Sequence, residues 1–269
     1  MYTDFKGNKV YFSTGGLNLV KDNETLWFVH GAGQNHYSFT QQIRYFVSQG
    51  YNVIAPDFPG HGFSEGNQTI SIEEDMLWLV EFLAFLKIEK ATFIGHSQGC
   101  LVGLEFAQRH PEKLDLLALI NGSMSMKMNT ELLDLALNKD QKAVDLMMDW
   151  VHGPLGHKGG HPVPGLSHLG MGGQLVSSNN DGTLGADFNA CDKYTNGEAA
   201  AKSIKHPTLC IVGKHDKMTP KKVGLELASN IEGSKTVVLE ESGHMSILET
   251  ASETKNILKN FFKENSRAS

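Results

Sequence analysis

Three cysteines in 269 residues, Cys100, Cys191 and Cys210, are too few, odd in number and too widely spaced for a disulfide framework. Two of them sit in apolar strand or helix contexts. They are expected to be reduced core residues, which suits a cytoplasmic protein. Basic clusters are missing as well. The chain carries 24 Lys and Arg against 30 Asp and Glu, a formal net charge of −6, and this excludes a nucleic-acid partner. Long hydrophobic runs are absent. The most apolar stretch, Met76 to Leu86, contains Glu81 and is too short to span a bilayer, so no membrane partner is expected. The opening residues Met1 to Lys6 have no apolar segment of the secretory-leader type, and none is expected. There are no internal repeats and no low-complexity tract outside a glycine-rich middle. What remains is ordinary: 40% hydrophobic and 20% charged residues, enough for a sizeable core. The length suits one large α/β domain with an insertion, or two small domains.

Taken in order, Val10–Ser13 and Leu17–Val20 flank Gly15-Gly16 and read as a β-hairpin. Leu26 to Val29 is a buried strand running into His30-Gly31-Ala32-Gly33. Residues 36–48 carry apolar side chains at helical spacing, and Gln49-Gly50 ends that helix. A strand over 51–57 enters the turn-rich loop Phe58-Pro59-Gly60-His61-Gly62-Phe63-Ser64. Ser71 with Glu74 forms a capping-box pattern for a helix to about Leu86. A strand from Ala91 to Ile94 leads through Gly95-His96-Ser97-Gln98-Gly99 into a helix ending at Arg109. The strand Leu116–Ile120 follows. Short strands apolar on both faces, alternating with helices, indicate a mostly parallel sheet covered on both sides. After Asn121 the alternation stops. Residues 130–150 read as a Met-rich helical stretch, 153–185 as an aperiodic loop, and 187–194 and 198–204 as two short helices. Alternation resumes with a strand at 208–212, a helix at 221–230, a strand at 236–239 and a helix at 248–262. The expected organisation is a core of residues 1–121 and 206–269 with an inserted cap, 122–205.

The chemistry centres on Ser97. A serine on a strand-to-helix turn is forced into a strained conformation that pushes its hydroxyl out at the sheet edge, with a helix N-terminus behind it. Glycines belong at 95 and 99 because side chains there would obstruct the packing of helix on strand. A serine hydroxyl needs a base, and the base needs an orienting group. Later strand ends supply both: Gly213-Lys214-His215-Asp216 after one strand, and Glu240-Glu241-Ser242-Gly243-His244 after the next. Thr219, before Pro220, reads as the cap of the following helix and leaves Asp216 free for His244. An oxyanion formed on an attacked carbonyl needs preorganised donors. The backbone N–H groups of Gln98 and Ala32 are the candidates. Asp57 reads as a carboxylate binding backbone amides of its own loop, and His30 and His96 as structural.

These segments together resemble the α/β-hydrolase superfamily over nearly the whole chain, including the order Ser97, Asp216, His244. The resemblance implies an eight-stranded sheet with the second strand antiparallel and a cap inserted after the sixth. It implies a hydrolase needing no cofactor and acting on a small molecule. Haloalkane dehalogenases and most epoxide hydrolases of this fold use an aspartate nucleophile, and position 97 is serine. Carbon–carbon bond hydrolases, aminopeptidases or amidases, acyltransferases and a non-catalytic ligand receptor stay open beside a carboxylesterase.

In the expected cap, Met124, Met147 and Met148 are candidates for an adaptable apolar pocket wall. The acids Glu131, Asp134, Asp140, Asp145, Asp181, Asp187 and Asp192 read as a solvated face. His152, His157, His161 and His168 lie close together, but Gly159-Gly160 disfavours a helix bringing 157 and 161 onto one face and no cysteine joins them. A lid with surface histidines is expected there, and no metal. Nothing in the sequence fixes the oligomeric state.

Overall fold

The computed structural model describes residues 1–159, 161 and 165–265; Gly160, residues 162–164 and the last four residues of the polar tail lie outside it. Eight strands form one sheet in the order β1-β2-β4-β3-β5-β6-β7-β8. They are β1 (Tyr2–Phe5), β2 (Asn8–Ser13), β3 (Thr25–Val29), β4 (Asn52–Pro56), β5 (Ala91–His96), β6 (Leu114–Ile120), β7 (Thr208–Gly213) and β8 (Lys235–Leu239). Strand β2 runs antiparallel to both neighbours, and all pairings from β4 to β8 are parallel. This is the sheet that the resemblance implies, eight-stranded with the second strand reversed.

The parallel strands are buried on both faces, and alternate side chains build two cores. Trp27 and Phe93 pack with Phe106 of α3 (Gln98–Arg109) on one face. On the other, Phe28 meets Phe39 of a short 3₁₀ turn and Phe46 of α1 (Thr40–Ser48). Helix α2 (Ile72–Phe85) begins as its sequence indicates, with the Ser71 hydroxyl accepting from the Glu74 amide. All three cysteines are buried and unpaired. No helix among the described residues is long and apolar enough to cross a membrane.

Three expectations are corrected. The hairpin turn falls at Lys6-Gly7, whose φ angles of 51° and 78° fit a tight two-residue turn, and not at Gly15-Gly16. Residues 17–20 form no strand, because the Asn52 side chain bonds both the N–H and the C=O of Val20 and takes that backbone out of the ladder. The Met-rich stretch is helical as expected, divided into α4 (Thr130–Leu137) and α5 (Gln141–Val151). Lys139, at φ 57°, breaks it and Asp140 caps the second. The glycine-rich middle holds α6 (Pro154–His157), α7 (His168–Ser177) and the start of α8 (Thr183–Lys193). Four glycines of α7 and α8 (170, 172, 173 and 185) had masked the periodicity. Helix α9 (Gly197–Ser203) closes the insertion between β6 and β7, and α10 (Lys221–Ser229), α11 (Ser246–Glu249) and α12 (Ala251–Asn265) complete the chain.

Candidate active site

Between β5 and α3 the chain turns on Ser97, held at φ 54° and ψ −120°. Few L-residues adopt that conformation, and the surroundings must enforce it. The Ser97 N–H donates to Ile120 O at 3.0 Å, and its carbonyl accepts from the Cys100 N–H at 2.8 Å. A Cβ on Gly95 would collide with the Gly99 carbonyl, and one on Gly99 with the Val29 carbonyl. The turn therefore closes only with hydrogen at both positions.

The loops after β7 and β8 bring Asp216 and His244 to this serine. His244 Nε2 lies 2.8 Å from Ser97 Oγ, and His244 Nδ1 lies 2.8 Å from Asp216 Oδ2. All three residues are buried, Ser97 least so at 9% exposure. The contact to Asp216 puts the proton of a neutral imidazole on Nδ1 and leaves Nε2 as the acceptor for the serine hydroxyl. Asp216 Oδ1 accepts the amides of Met218 and Thr219, each at 2.8 Å. Its Oδ2 also accepts from Thr219 Oγ1 at 2.8 Å and Asn121 Nδ2 at 3.0 Å. Burial alone would raise the pKa of this carboxyl. The facing His244 and the Thr219 donors outweigh it and hold the pKa below the ordinary value, so Asp216 stays ionised. Thr219 is thus not a helix cap, because its hydroxyl is used on Asp216.

Sequence reading missed Asn121 and Thr219. Asn121 sits at φ 52° where β6 gives way to the insertion, and its Oδ1 accepts the Ser246 hydroxyl. An asparagine closing a strand is a signal only once the three-dimensional neighbour is known. His96 is structural in a specific way. Its Nε2 donates to His244 O at 2.8 Å, and its Nδ1 lies 3.2 Å from the Gln34 side-chain amide. Burial, followed by the nearby His244, lowers its pKa to about 3, so it remains neutral. His30 is likewise neutral, its pKa lowered to about 4 by burial and then by His61; its Nε2 accepts the Phe58 N–H. Asp57 accepts the amides of His36 and Phe63 and faces the His36 ring.

Ala32 lies on the loop after β3, and Gln98 directly follows Ser97 as the first residue of α3. Neither backbone amide is hydrogen-bonded within the protein among the described residues. Gly31 closes the approach, since a Cβ there would lie 2.8 Å from Ser97 Cβ. Beneath, Gln98 Nε2 donates to Asp75 Oδ2 at 2.9 Å, and Thr69 donates to the other oxygen. Asp75 is enclosed. Burial, with Asp187 nearby, raises its pKa to about 7.

A cavity of about 830 Å³ lies beside this centre, walled by Met147, Met148 and Val151 of α5, Leu175 and Val176 of α7, and Met245. Ser97 is not on its wall, but Gln34 and Met245, which flank the site, are. Met124 is elsewhere: it is half-buried and packs against the opposite core. His152 and His168 are buried in the cavity wall rather than on the surface, with ring centroids 6.1 Å apart. Among the described residues no group of three or more His, Cys, Asp or Glu is arranged to hold a metal ion. Asp187 also departs from expectation. It is 2% exposed, pairs with His61 Nε2 at 2.9 Å and accepts the Gly33 N–H at 2.7 Å. Burial would lower the His61 pKa, but Asp187 outweighs it and raises it.

Known sequences and structures agree with this architecture. Residues 24–155 match the family profile described as alpha/beta hydrolase fold, and residues 171–267 match that of TAP-like protein. The chain is 31% identical over 113 residues to the (E)-2-((N-methylformamido)methylene)succinate hydrolase of Acinetobacter baylyi, a match spanning 42% of this chain and 40% of that relative. It is 24% identical over 259 residues to the 2-hydroxymuconate semialdehyde hydrolase of a Pseudomonas strain, spanning 89% of this chain and 87% of the relative. A solved thermophilic esterase superposes with a TM-score of 0.82 at 25% identity, covering 99% of this chain and 98% of its own.

Proposed function

The chain belongs to the α/β-hydrolase superfamily, and within it we propose a serine hydrolase that cleaves a small or medium carboxylic ester through an acyl-enzyme. The reading rests on one observation: the chain of 2.8 Å contacts from Ser97 through His244 to Asp216, with the serine held at φ 54°. Ser97 Oγ attacks the ester carbonyl while His244 Nε2 takes its proton. Asp216 keeps Nδ1 protonated and stabilises the imidazolium that forms. The amides of Ala32 and Gln98 receive the negative charge on the former carbonyl oxygen. His244 then protonates the leaving alcohol. Water, activated by the same imidazole, releases the acid and restores Ser97. The insertion 122–205 acts as a cap, and its methionine-lined cavity takes an apolar acyl chain. The three buried thiols suit a reducing compartment.

The test is hydrolysis of p-nitrophenyl esters of increasing acyl length by wild type and Ser97→Ala. Wild-type turnover with an optimum in chain length, lost by roughly 10⁴-fold or more in the variant, is the expected result. No turnover and no labelling of Ser97 by a fluorophosphonate overturns it and favours a ligand receptor. The likeness to the 2-hydroxymuconate semialdehyde hydrolase over most of both chains supports a second reading, carbon–carbon bond hydrolysis on the same residues. Fluorophosphonate labelling without ester turnover, followed by cleavage of a vinylogous diketone, would select it.

A further inference from the structure

The insertion holds the candidate oxyanion loop by both ends of a single residue. Gly33, at φ 64°, directly follows Ala32. Its N–H donates to Asp187 Oδ2 at 2.7 Å, and its carbonyl accepts from Asn179 Nδ2 at 2.7 Å. Both partners come from the insertion, 154 and 146 residues away in sequence. The same stretch grips the loop after β4. Asn179 Oδ1 accepts the Gly62 N–H at 2.8 Å, Asp187 Oδ2 faces His61 Nε2 at 2.9 Å, and the Gly60 carbonyl accepts from the Asn180 N–H and the Thr183 hydroxyl. Ser97 and Asp216 are held by β-strand ends and their loops, and the insertion reaches the His244 loop through the Met245 N–H, which donates to the Val151 carbonyl at 3.1 Å.

We propose that Asp187 and Asn179 are positioning residues for the oxyanion donor, so that the insertion, besides walling the substrate cavity, sets the direction of the Ala32 N–H. The inference rests on the serine-hydrolase reading above. Its physical basis is the peptide plane. The Ala32–Gly33 peptide carries the Gly33 N–H, and the Gly33–Gln34 peptide carries the Gly33 carbonyl; the Gln34 N–H of that second peptide donates at 3.1 Å to the Gly31 carbonyl, which shares its plane with the Ala32 N–H. Pinning both fixes the φ and ψ of Gly33. Glycine is the residue freest to leave that conformation. The contact from Asp187 is charge-assisted and buried, where such a bond is strongest. A donor is effective only when it points to where negative charge develops, and it then acts on the transition state more than on bound ester. Losing the grip should therefore lower kcat and leave KM nearly unchanged.

The experiment compares Asp187→Ala, Asp187→Asn and Asn179→Ala with wild type. Thr183→Val serves as the comparison, since it touches the Gly60 carbonyl but no group of Gly33. Three quantities are measured: kcat and KM on the best p-nitrophenyl ester, inhibition by the matching alkyl trifluoromethyl ketone, and inhibition by the free carboxylic acid. The ketone adds Ser97 Oγ to its carbonyl carbon, the serine proton moves to His244, and the resulting oxyanion needs the same donors as the reaction. The expected result for Asp187→Ala is a kcat lower by roughly 10- to 100-fold, with ketone affinity weakened by a similar factor. KM and acid affinity should stay within about threefold, a split that general loosening would not produce. Asp187→Asn keeps an acceptor oxygen and should lose less. Should Asp187→Ala fail to fold, Asn179→Ala, whose side chain is only half-buried, carries the same test. An unchanged kcat overturns the proposal. So does a parallel loss of ester, acid and ketone binding, or an equal loss in Thr183→Val. Turnover that survives Ser97→Ala would instead overturn the serine reading beneath it.

Discussion

Single side chains in this protein are tuned by what they are enclosed with. Asp216 and Asp75 are both buried carboxyls, yet their pKa values move in opposite directions. Asp216 faces an imidazole and accepts two amides, a hydroxyl and an amide side chain. Among the described residues Asp75 has Thr69 and Gln98 as side-chain donors, and neither carries charge. The raised value of about 7 for Asp75 carries a definite sign for stability. The folded state holds this proton more tightly than the unfolded chain. Stability therefore falls as pH rises from the unfolded value of 3.8 through about 7, and the loss is complete above that. Asp75→Asn cannot ionise. Its thermal midpoint should exceed that of wild type by a margin that widens between pH 5 and pH 8, the full effect being of order 4 kcal/mol. Melting curves across that range check it; a constant margin would show that Asp75 is already ionised at pH 5.

Elements meet most tightly at the junction of β5, α3 and β3, and there glycine is required by contact rather than by flexibility. Gly99→Ala would drive its methyl into the Val29 carbonyl, which is backbone and cannot step aside. A loss of about 3 kcal/mol, the upper end for overpacking, is expected from denaturant titration. Gly173 in α7 is the contrast. A methyl there would meet nothing nearer than 4.0 Å, and Ala is the better helix former by about 1 kcal/mol. Gly173→Ala should raise stability by up to that amount. The two substitutions, identical in chemistry, should thus move the unfolding midpoint in opposite directions.

Across the whole molecule, the strand ends of the sheet carry the candidate catalytic groups, Ser97, Asp216 and His244, and the insertion walls the space beside them. Met148, buried beside Gly172 of α7, lines that space, whereas Ser97 and His244 do not. Met148→Trp should move the optimum of an ester chain-length series to shorter acyl groups while activity on acetate esters is retained. An unmoved optimum would place the acyl chain elsewhere. Much of this arrangement is legible in the sequence because it is local. The strands that form the parallel sheet are apolar runs, and their order along the chain follows from alternation with helices. Gly95-His96-Ser97-Gln98-Gly99, Asp216 and His244 stand at strand ends, where a parallel sheet gathers side chains along one edge. The parts that were not legible depend on pairs distant in sequence. Asn121 and Thr219 gained their roles only when Asp216 arrived between them. Asp187 read as a surface acid because nothing near it in sequence announces Gly33 or His61. The helix α7 was hidden by its glycines, which lower the hydrophobic signal although packing against α5 still orders the backbone. Periodicity and strained turns are written into neighbouring residues, so the sequence by itself determined the sheet, the insertion point and the turn at Ser97. Hydrogen bonds that close over more than a hundred residues, and the cavity between α5 and α7, exist only once the chain has folded, and the tertiary structure alone decided them.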